Sequence, residues 1–552
     1  MGITRLSWAY WVLGVCALLL TVGVETSQAQ ADLPRFDETD CFFVAPDIWE
    51  VECGFVTVAA ARDEEGNQVA DAGTVRLPVA VFYQIEAPEP ADAETTTEPV
   101  VTPVGVPFSD DETAQVPPEV TDEVAVTEAR GPVIYLAGGP GASGLESQVP
   151  SFDVRWQPFL EYGDFILYDQ RGTGMADPAL TCAEFPEFRI ESIDEMLSLE
   201  ASLEYTIDIF FACRDRLAAE NVDLSLFNSA ASAADLNDIR IALGYDSWNL
   251  IATSYGARLA LTHMRDFPDT VRSVILDSGY PPEINLYADA AANAYRAFDV
   301  LFERCAADTA CNEAFPDLET VFYDAVDALN EGPTRVSVTN PRTGDVYERA
   351  YVNGEVFIEM VYQMLHETTI IPLLPTLIYN VSSGNYELLS RLIGATTSNL
   401  EFVSLGKRFS THCHEEISFA DEITVPRNIP EQIARHFELS LELGPAITII
   451  CDHWQAGEAA PIENEPIVSD IPTLLLAGEF DPLTPPAYSE QIAENLSTNT
   501  LYVLPGYGHS ITLTHDECII DLMQTFLNDP MSEPSVSCVG ALEFEFVVPS
   551  GD

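Results

Sequence analysis

Apolar and polar residues follow two different patterns along the chain. Residues 54–86 contain two strand-like runs, and the second, TVRLPVAVFYQI, alternates apolar with polar or small residues as a half-buried strand does. After residue 130, short apolar runs instead alternate with segments of helical spacing. Strands that alternate with helices in this way predict a mostly parallel sheet with helices on both faces, which is an α/β fold.

The positions of the apolar runs predict the individual elements. The predicted strands are PVIYLAG, DFILYDQRG, WNLIATS, VRSVILDSG, PTLLLAGEFD and TLYVLPGYGH, and the predicted helices are SAADLNDIRIALG, YGARLALTHMRDFP and ECIIDLMQTFLND. From residue 282 to residue 470 the pattern is largely helical and has no comparable strand rhythm. We therefore predict an α/β core in two parts, residues 32–281 and 471–552, interrupted by a helical cap insertion at 282–470.

Two segments are expected to lie outside this core. Residues 87–129 are rich in Pro, Thr, Glu and Asp and have little to bury, which predicts a disordered or extended acidic loop. Residues 1–31 combine Arg5, an apolar run and an A-x-A site, which is the pattern of a secretory signal peptide. A retained anchor is the alternative, but the run is short for a membrane span. We expect a secreted or periplasmic protein without membrane association once the signal is removed.

Cysteine usage agrees with export. The chain has 11 cysteines, and those outside the signal peptide are even in number, as a set of disulfides in an oxidising compartment requires. Neighbouring cysteines would pair as 41–53, 182–213, 305–311, 413–451 and 518–538, although sequence alone leaves the connectivity open. No C-x-x-C spacing suggests a metal or redox site.

The charge balance is strongly acidic. Asp and Glu number 89 against 24 Lys and Arg, which gives a net charge of −65, and Lys407 is the only lysine. A surface this negative repels phosphate, so it excludes nucleic acids and anionic membranes as partners. Solubility in a salty or acidic exterior explains the charge, and steering of cationic substrates is the alternative.

A candidate nucleophile lies between a predicted strand and a predicted helix. The sequence ATSYG places Ser254 in a near match to the G-x-S-x-G nucleophile elbow, with Ala252 in place of the first glycine and Gly256 as the second. The sharp turn of an elbow needs small residues two before and two after the serine, and alanine is small enough.

Two further residues fit this nucleophile. Asp481 ends the run LLLAGEFD and His509 follows the run TLYVLPGYGH, so that both lie at the carboxyl ends of predicted strands, where functional groups of parallel sheets gather. The chain order Ser, Asp, His is that of α/β-hydrolases. Asp481 could instead cap a turn, and His509 could be a surface histidine, but together the three predict a catalytic triad.

A glycine-rich loop can supply the oxyanion hole that such a triad requires. AGGPGASG, residues 137–144, follows a predicted strand and exposes backbone N–H groups around Gly138 and Gly139. The N–H of Tyr255 is the second expected donor. A plain tight turn is the alternative, and the loop lacks the pattern of a phosphate-binding P-loop.

These motifs together resemble one branch of the α/β-hydrolases. GGPG followed by DQRGTG at 169–174, an S-x-G elbow, GEFDPLTPP and GYGH resemble the proline iminopeptidase and tripeptidyl aminopeptidase branch. The resemblance extends from about residue 55 to residue 538 and is weakest in the acidic loop and the insertion. The chain departs from the family pattern at Ala252, at Ala137, where histidine is common, and at Met175-Ala176.

The resemblance implies a serine exopeptidase that removes residues from the free N-terminus of peptides. In this family acidic cap residues hold the α-ammonium group, and Cys413-His414-Glu415-Glu416 resembles the cysteine-x-acid motif, so that Glu415 is the first candidate and Glu416 the second. A solvated surface position is the alternative for either. Arg171 is expected to order loops beside the site.

The overall prediction is an exported serine aminopeptidase that works through an acyl-enzyme on peptide substrates. It requires no metal or organic cofactor. An esterase with the same triad is the alternative, and would not require a free α-amino group. A non-catalytic binding protein on the same fold is the other.

Overall fold

The computed structural model describes residues 33–46, 48–63, 66–69, 72–83, 130–397, 403–420, 423–440 and 443–549. The predicted signal peptide at 1–31 and the whole of the predicted acidic loop at 87–129 lie outside these residues. Within them, no helix combines the length and apolarity that crossing a membrane demands.

The strands form one large and one small sheet. The strands are β1 Arg35–Thr39, β2 Val51–Ala59, β3 Thr74–Phe82, β4 Val133–Leu136, β5 Phe165–Tyr168, β6 Trp248–Thr253, β7 Val271–Asp277, β8 Thr334–Thr339, β9 Val346–Val352, β10 Thr473–Gly478 and β11 Asn499–Leu504. The nine-stranded sheet has the order β1-β2-β3-β5-β4-β6-β7-β10-β11, and β8 pairs with β9 separately. Neighbours from β5 to β11 run parallel, whereas β1, β2 and β3 form an antiparallel edge.

The helices cover both faces of the large sheet and fill the segment between β7 and β10. They are α1 Gly144–Gln148, α2 Phe152–Arg155, α3 Glu184–Glu191, α4 Leu199–Ala219, α5 Ser229–Leu243, α6 Tyr255–Asp266, α7 Leu286–Ala307, α8 Thr309–Ala314, α9 Leu318–Glu331, α10 Gly354–Leu365, α11 Leu374–Ser382, α12 Glu387–Thr397, α13 Leu405–Glu415, α14 Glu431–Glu438, α15 Ile447–Trp454, α16 Pro486–Asn495 and α17 Glu517–Asn528. Leu250 of β6 packs in the core with α5 and α6, whereas the next residue, Ile251, packs on the opposite face with α17. Because successive side chains of a strand point to opposite faces, a strand covered on both sides is apolar throughout.

The predicted α/β fold is confirmed, and each predicted strand and helix is present. The segment predicted as a cap runs between β7 and β10, which are neighbours in the sheet, and its described residues form helices, connecting loops and the β8–β9 hairpin. Its separation as a domain stays a prediction. Helix α4, which precedes the nucleophile turn, packs with α13 and α15 in one apolar cluster, and no pattern in the sequence indicated this contact.

Disulfides join the elements at five places. The bonded pairs are Cys41–Cys53, Cys182–Cys213, Cys305–Cys311, Cys413–Cys451 and Cys518–Cys538. These are the neighbouring pairs that the sequence suggested. The bond between Cys413 and Cys451 fastens α13 to α15, close to the two glutamates that the sequence singled out.

Candidate active site

Ser254 occupies a sharp turn between β6 and α6. Its φ of 58° and ψ of −123° lie in a region that costs a non-glycine residue about 1–3 kcal/mol. A β-carbon at Gly256 would lie 2.1 Å from the carbonyl oxygen of Leu136, so that only glycine fits there. The side chain of Ala252 is fully buried, and the turn accommodates its methyl group.

Asp481 and His509 follow neighbouring parallel strands and meet at one edge of the sheet. Oδ2 of Asp481 lies 2.7 Å from Nδ1 of His509. Oδ1 of Asp481 accepts hydrogen bonds from the N–H groups of Leu483 and Thr484, and the Thr484 hydroxyl donates to Oδ2 at 2.8 Å. The carboxylate is held on both oxygens, and Nε2 is the histidine nitrogen left to exchange a proton with a reacting group.

The two side chains shift each other's pKa. Burial favours a neutral carboxyl group, but the charge and hydrogen bond of His509 outweigh burial and hold the pKa of Asp481 below its usual value. Burial disfavours a charged imidazole, but Asp481, together with Asp277 and Glu367, raises the pKa of His509 above its usual value. A raised pKa makes His509 a better proton acceptor than a free imidazole.

Asp277, which the sequence analysis did not single out, connects the serine turn to the histidine loop. Its carbonyl oxygen accepts the N–H of Ser254 at 2.8 Å. Its buried carboxylate accepts the N–H groups of Ile511 and Thr512 at 3.0 Å and 2.8 Å. The residue ends β7, and a carboxylate at a strand end was the signal that could have identified it.

The glycine-rich loop passes directly beside Ser254. A β-carbon at Gly138 would lie 3.0 Å from Cβ and 3.6 Å from Oγ of Ser254. Gly139 has a φ of 112°, a left-handed conformation that glycine adopts without strain. Tyr255 is the first residue of α6, and the first N–H groups of a helix have no partner within it. The three residues predicted for an oxyanion hole are therefore all beside the serine.

The DQRG segment, residues 169–172, is hydrogen-bonded to this loop. The buried carboxylate of Asp169 accepts the Ser143 hydroxyl at 2.7 Å and the Met175 N–H at 2.9 Å, and burial raises its pKa to about 6. Arg171 is fully buried, and its Nε and Nη2 both bind Asp235 at 2.6 Å. Arg171 orders loops, as the sequence predicts.

Glu415 and Glu416 are buried at the end of α13 and face a buried arginine of α6. Glu415 accepts hydrogen bonds from the N–H and hydroxyl of Ser229 and from Nε of Arg258 at 3.0 Å. Oε2 of Glu416 accepts the N–H of Leu286 at 3.1 Å, and Oε1 lies 3.7 Å from Nη1 of Arg258. Neither glutamate is a solvated surface residue, and Arg258 is a member of the cluster that no sequence motif indicated.

Glu416 is the less completely bonded of the two glutamates. Within the described part of the chain, its Oε1 accepts no hydrogen bond, and the nearby buried hydroxyl of Tyr280 also has no partner. Burial raises the pKa of Glu416 to about 7, against the opposing charge of Arg258. Lys407, whose charge acts on Glu415, is itself buried, and burial lowers its pKa to about 7.

Two parts of the chain match known family models. Residues 131–311 match the model described as alpha/beta hydrolase fold, and residues 445–538 match the model described as TAP-like protein. The first range contains the serine turn, and the second contains the aspartate and the histidine.

Several curated relatives have peptidase names. Serine protease Hip1 of Mycobacterium tuberculosis is 24% identical over 430 residues, which cover 73% of this chain and 80% of the relative. Tripeptidyl aminopeptidase of Streptomyces coelicolor is 31% identical over 168 residues, which cover 28% of this chain and 29% of the relative. Among solved structures, the proline iminopeptidase of Mycobacterium smegmatis has 15% identity and a TM-score of 0.33, covering 73% of this chain and 91% of that one.

Proposed function

We propose that this serine hydrolase, which is similar to the peptidase branch of the α/β-hydrolases, is an exported aminopeptidase with a Ser254–His509–Asp481 triad. Its substrates are peptides with a free N-terminus. Five disulfides in the described residues agree with an oxidising compartment outside the cell.

The proposed mechanism is that of a serine hydrolase with this triad. Ser254 attacks the scissile carbonyl carbon while Nε2 of His509 takes the hydroxyl proton, and Asp481 stabilises the imidazolium. Backbone N–H groups of Tyr255 and of the Gly138–Gly139 loop stabilise the oxyanion. His509 then gives its proton to the leaving amine, which departs and leaves the acyl-enzyme. Water, activated by His509, hydrolyses the acyl-enzyme and releases the N-terminal fragment.

The unequal charge of the buried cluster supports specificity for a free N-terminus. Two carboxylates, Glu415 and Glu416, face the guanidinium of Arg258. Another buried cation, Lys407, interacts with Glu415 and has its own pKa lowered to about 7 by burial. Buried charges are stable only when paired, so this cluster favours one additional cation. The α-ammonium group of a peptide supplies that charge, together with donors for the unpartnered oxygen of Glu416.

This arrangement favours Glu416 over Glu415 as the group that binds the ammonium. The oxygens of Glu415 already accept three hydrogen bonds, from Ser229 and Arg258. Glu415 then serves to hold Arg258 and the start of α5, and Glu416 receives the substrate. The sequence ranked the two residues in the opposite order.

The deciding experiment compares a chromogenic tripeptide with its N-acetylated twin. We expect the wild type to hydrolyse only the free form and Ser254→Ala to hydrolyse neither. Glu416→Gln should raise KM for the free peptide about 10-fold or more, because a charge-assisted contact is lost. Glu415→Gln is the matched variant, and a loss of affinity confined to it would restore the original ranking. Equal hydrolysis of both peptides would instead indicate an esterase or a hydrolase without N-terminal specificity.

A further inference from the structure

Helix α7, the first helix after β7, forms several polar contacts with the loop that carries Asp481. Four polar residues lie along one stripe of the helix because they are spaced close to whole helical turns. They are Asp289, Asn293, Arg296 and Arg304. Each contacts the segment between residues 479 and 488.

The central contact is made by Arg296. Its Nη2 donates to the carbonyl oxygen of Asp481 at 2.6 Å, and its Nη1 donates to the carbonyl oxygen of Glu479 at 2.9 Å. The guanidinium therefore binds the backbone on both sides of Phe480, and the side chain of Phe480 is fully buried. The guanidinium of an arginine holds its N–H donors in a fixed plane, so it fixes such a turn better than the ammonium group of a lysine can.

The other three residues of the stripe contact other parts of the same segment. Arg304 lies 3.4 Å from the carboxylate of Glu479. Asn293 donates to the Tyr488 hydroxyl at 2.8 Å, and that hydroxyl donates to Asp289 at 2.9 Å. Asn293 also donates to the carbonyl oxygen of Leu483 at 3.3 Å, and Arg296 alone among the four binds the backbone of Asp481.

We propose that Arg296 is a positioning residue, which holds Asp481 in hydrogen-bonding register with His509. The proposal rests on the proposed triad and not on specificity for a free N-terminus. Its consequence is that the segment inserted between β7 and β10 takes part in the chemical step through α7, in addition to covering the site.

The first test measures the rate of inactivation by a fluorophosphonate probe, together with kcat and KM for a simple ester and for a free tripeptide. Arg296→Gln should lower the inactivation rate and kcat by about 10- to 100-fold while leaving KM within about twofold, because small displacements of a catalytic group are this costly. Arg296→Lys keeps the charge and one donor, and should recover part of the loss. Arg304→Gln is the matched control and should stay within about twofold of the wild type.

A second readout distinguishes positioning from loss of folded protein. The groups that face His509 or Arg296 are Asp481, Asp277, Glu367, His366 and Glu479. If Arg296→Gln displaces Asp481, the charge and hydrogen bond that raise the pKa of His509 are weakened, so the acid limb of the inactivation rate should move to lower pH in Arg296→Gln and stay near its wild-type position in Arg296→Lys.

Two outcomes would overturn the proposal. One is an effect of Arg296→Gln no larger than that of Arg304→Gln. The other is a loss of rate that matches the loss of folded protein by circular dichroism, with an unchanged pH profile. If the wild type reacts with the probe but does not cleave free peptides, the aminopeptidase assignment fails while the test of Arg296 still stands. If the wild type does not react with the probe, both fail.

Discussion

Thr512 gives two hydrogen bonds to the carboxylate of Asp277, one from its backbone N–H at 2.8 Å and one from its hydroxyl at 2.6 Å. Because the carbonyl oxygen of Asp277 also accepts the N–H of Ser254, the aspartate fixes the nucleophile turn and the loop after His509 to one point. The relative position of the proposed nucleophile and base therefore depends on a residue that reacts with neither substrate nor water.

Asp277→Asn tests this connection. An amide nitrogen cannot accept a hydrogen bond, so one donor of Thr512 or Ile511 loses its partner, and we expect about 1–3 kcal/mol of lost stability with a clear fall in kcat. Thr512→Val removes only the hydroxyl and should cost about 1 kcal/mol. Denaturant unfolding and fluorophosphonate labelling measure the two effects, and full activity in Asp277→Asn would show that the connection is unimportant.

Gly256→Ala should damage both stability and activity. The added carbon would meet the Leu136 carbonyl oxygen at 2.1 Å, and overpacking of this kind costs about 1–3 kcal/mol. Gly332→Ala is the matched control, because its φ is −137° and the nearest atom to the added carbon lies at 3.6 Å. Thermal unfolding and kcat of both variants should separate them, and equal melting temperatures would contradict the steric argument.

Glu416 should make stability fall as pH rises. Its pKa is raised to about 7 in the folded protein, against an ordinary value of 4.5, so between these values the folded state binds more protons than the unfolded state. Stability contributed by the neutral carboxyl is present below pH 4.5 and is lost as pH rises to about 7. The unfolding free energy of the wild type should therefore fall relative to that of Glu416→Gln as pH rises across this range, and parallel curves would exclude the effect.

Two disulfides should differ in their effect on substrate binding. Replacing Cys413 and Cys451 by serine, or Cys518 and Cys538 by serine, should each cost about 2–4 kcal/mol of stability. Only the first replacement frees the end of α13, which carries Glu415, so only it should also raise KM for free peptides. Similar KM values in both double variants would mean that the first disulfide does not order the glutamates.

Salt should stabilise the protein. At a net charge of −65, repulsion between carboxylates disfavours the compact state, and ions screen it over about 10 Å at 0.1 M. The melting temperature should rise between 0.01 M and 1 M NaCl, and an unchanged value would show that the acidic surface is tolerated without screening.

The parts of the site that could be predicted are those encoded by local pattern. Ser254, Asp481 and His509 were found because each follows an apolar run that could be identified as a strand. Arg258 and Arg296 could not be found in this way, because their partners lie 157 and 185 residues further along the chain and no motif accompanies them.

The ranking of the two candidate glutamates could not be predicted from the sequence either. The motif indicated that Glu415 and Glu416 lie in the cap, but their order depends on which oxygens are already occupied. Those contacts come from Ser229, Arg258 and Leu286, on three other helices. Only the packing of α5, α6 and α7 against the end of α13 brings them together.

The only lysine of the chain, Lys407, is completely buried. A reagent that acylates amines therefore meets no accessible ε-amino group while the protein is folded, and modification is restricted to the α-amino group. Unfolding exposes a single additional amine at one known position. Labelling with such a reagent followed by mass spectrometry can thus measure the fraction of molecules that have unfolded. The same chemistry can attach a dye or a surface linker to the native protein at one defined point.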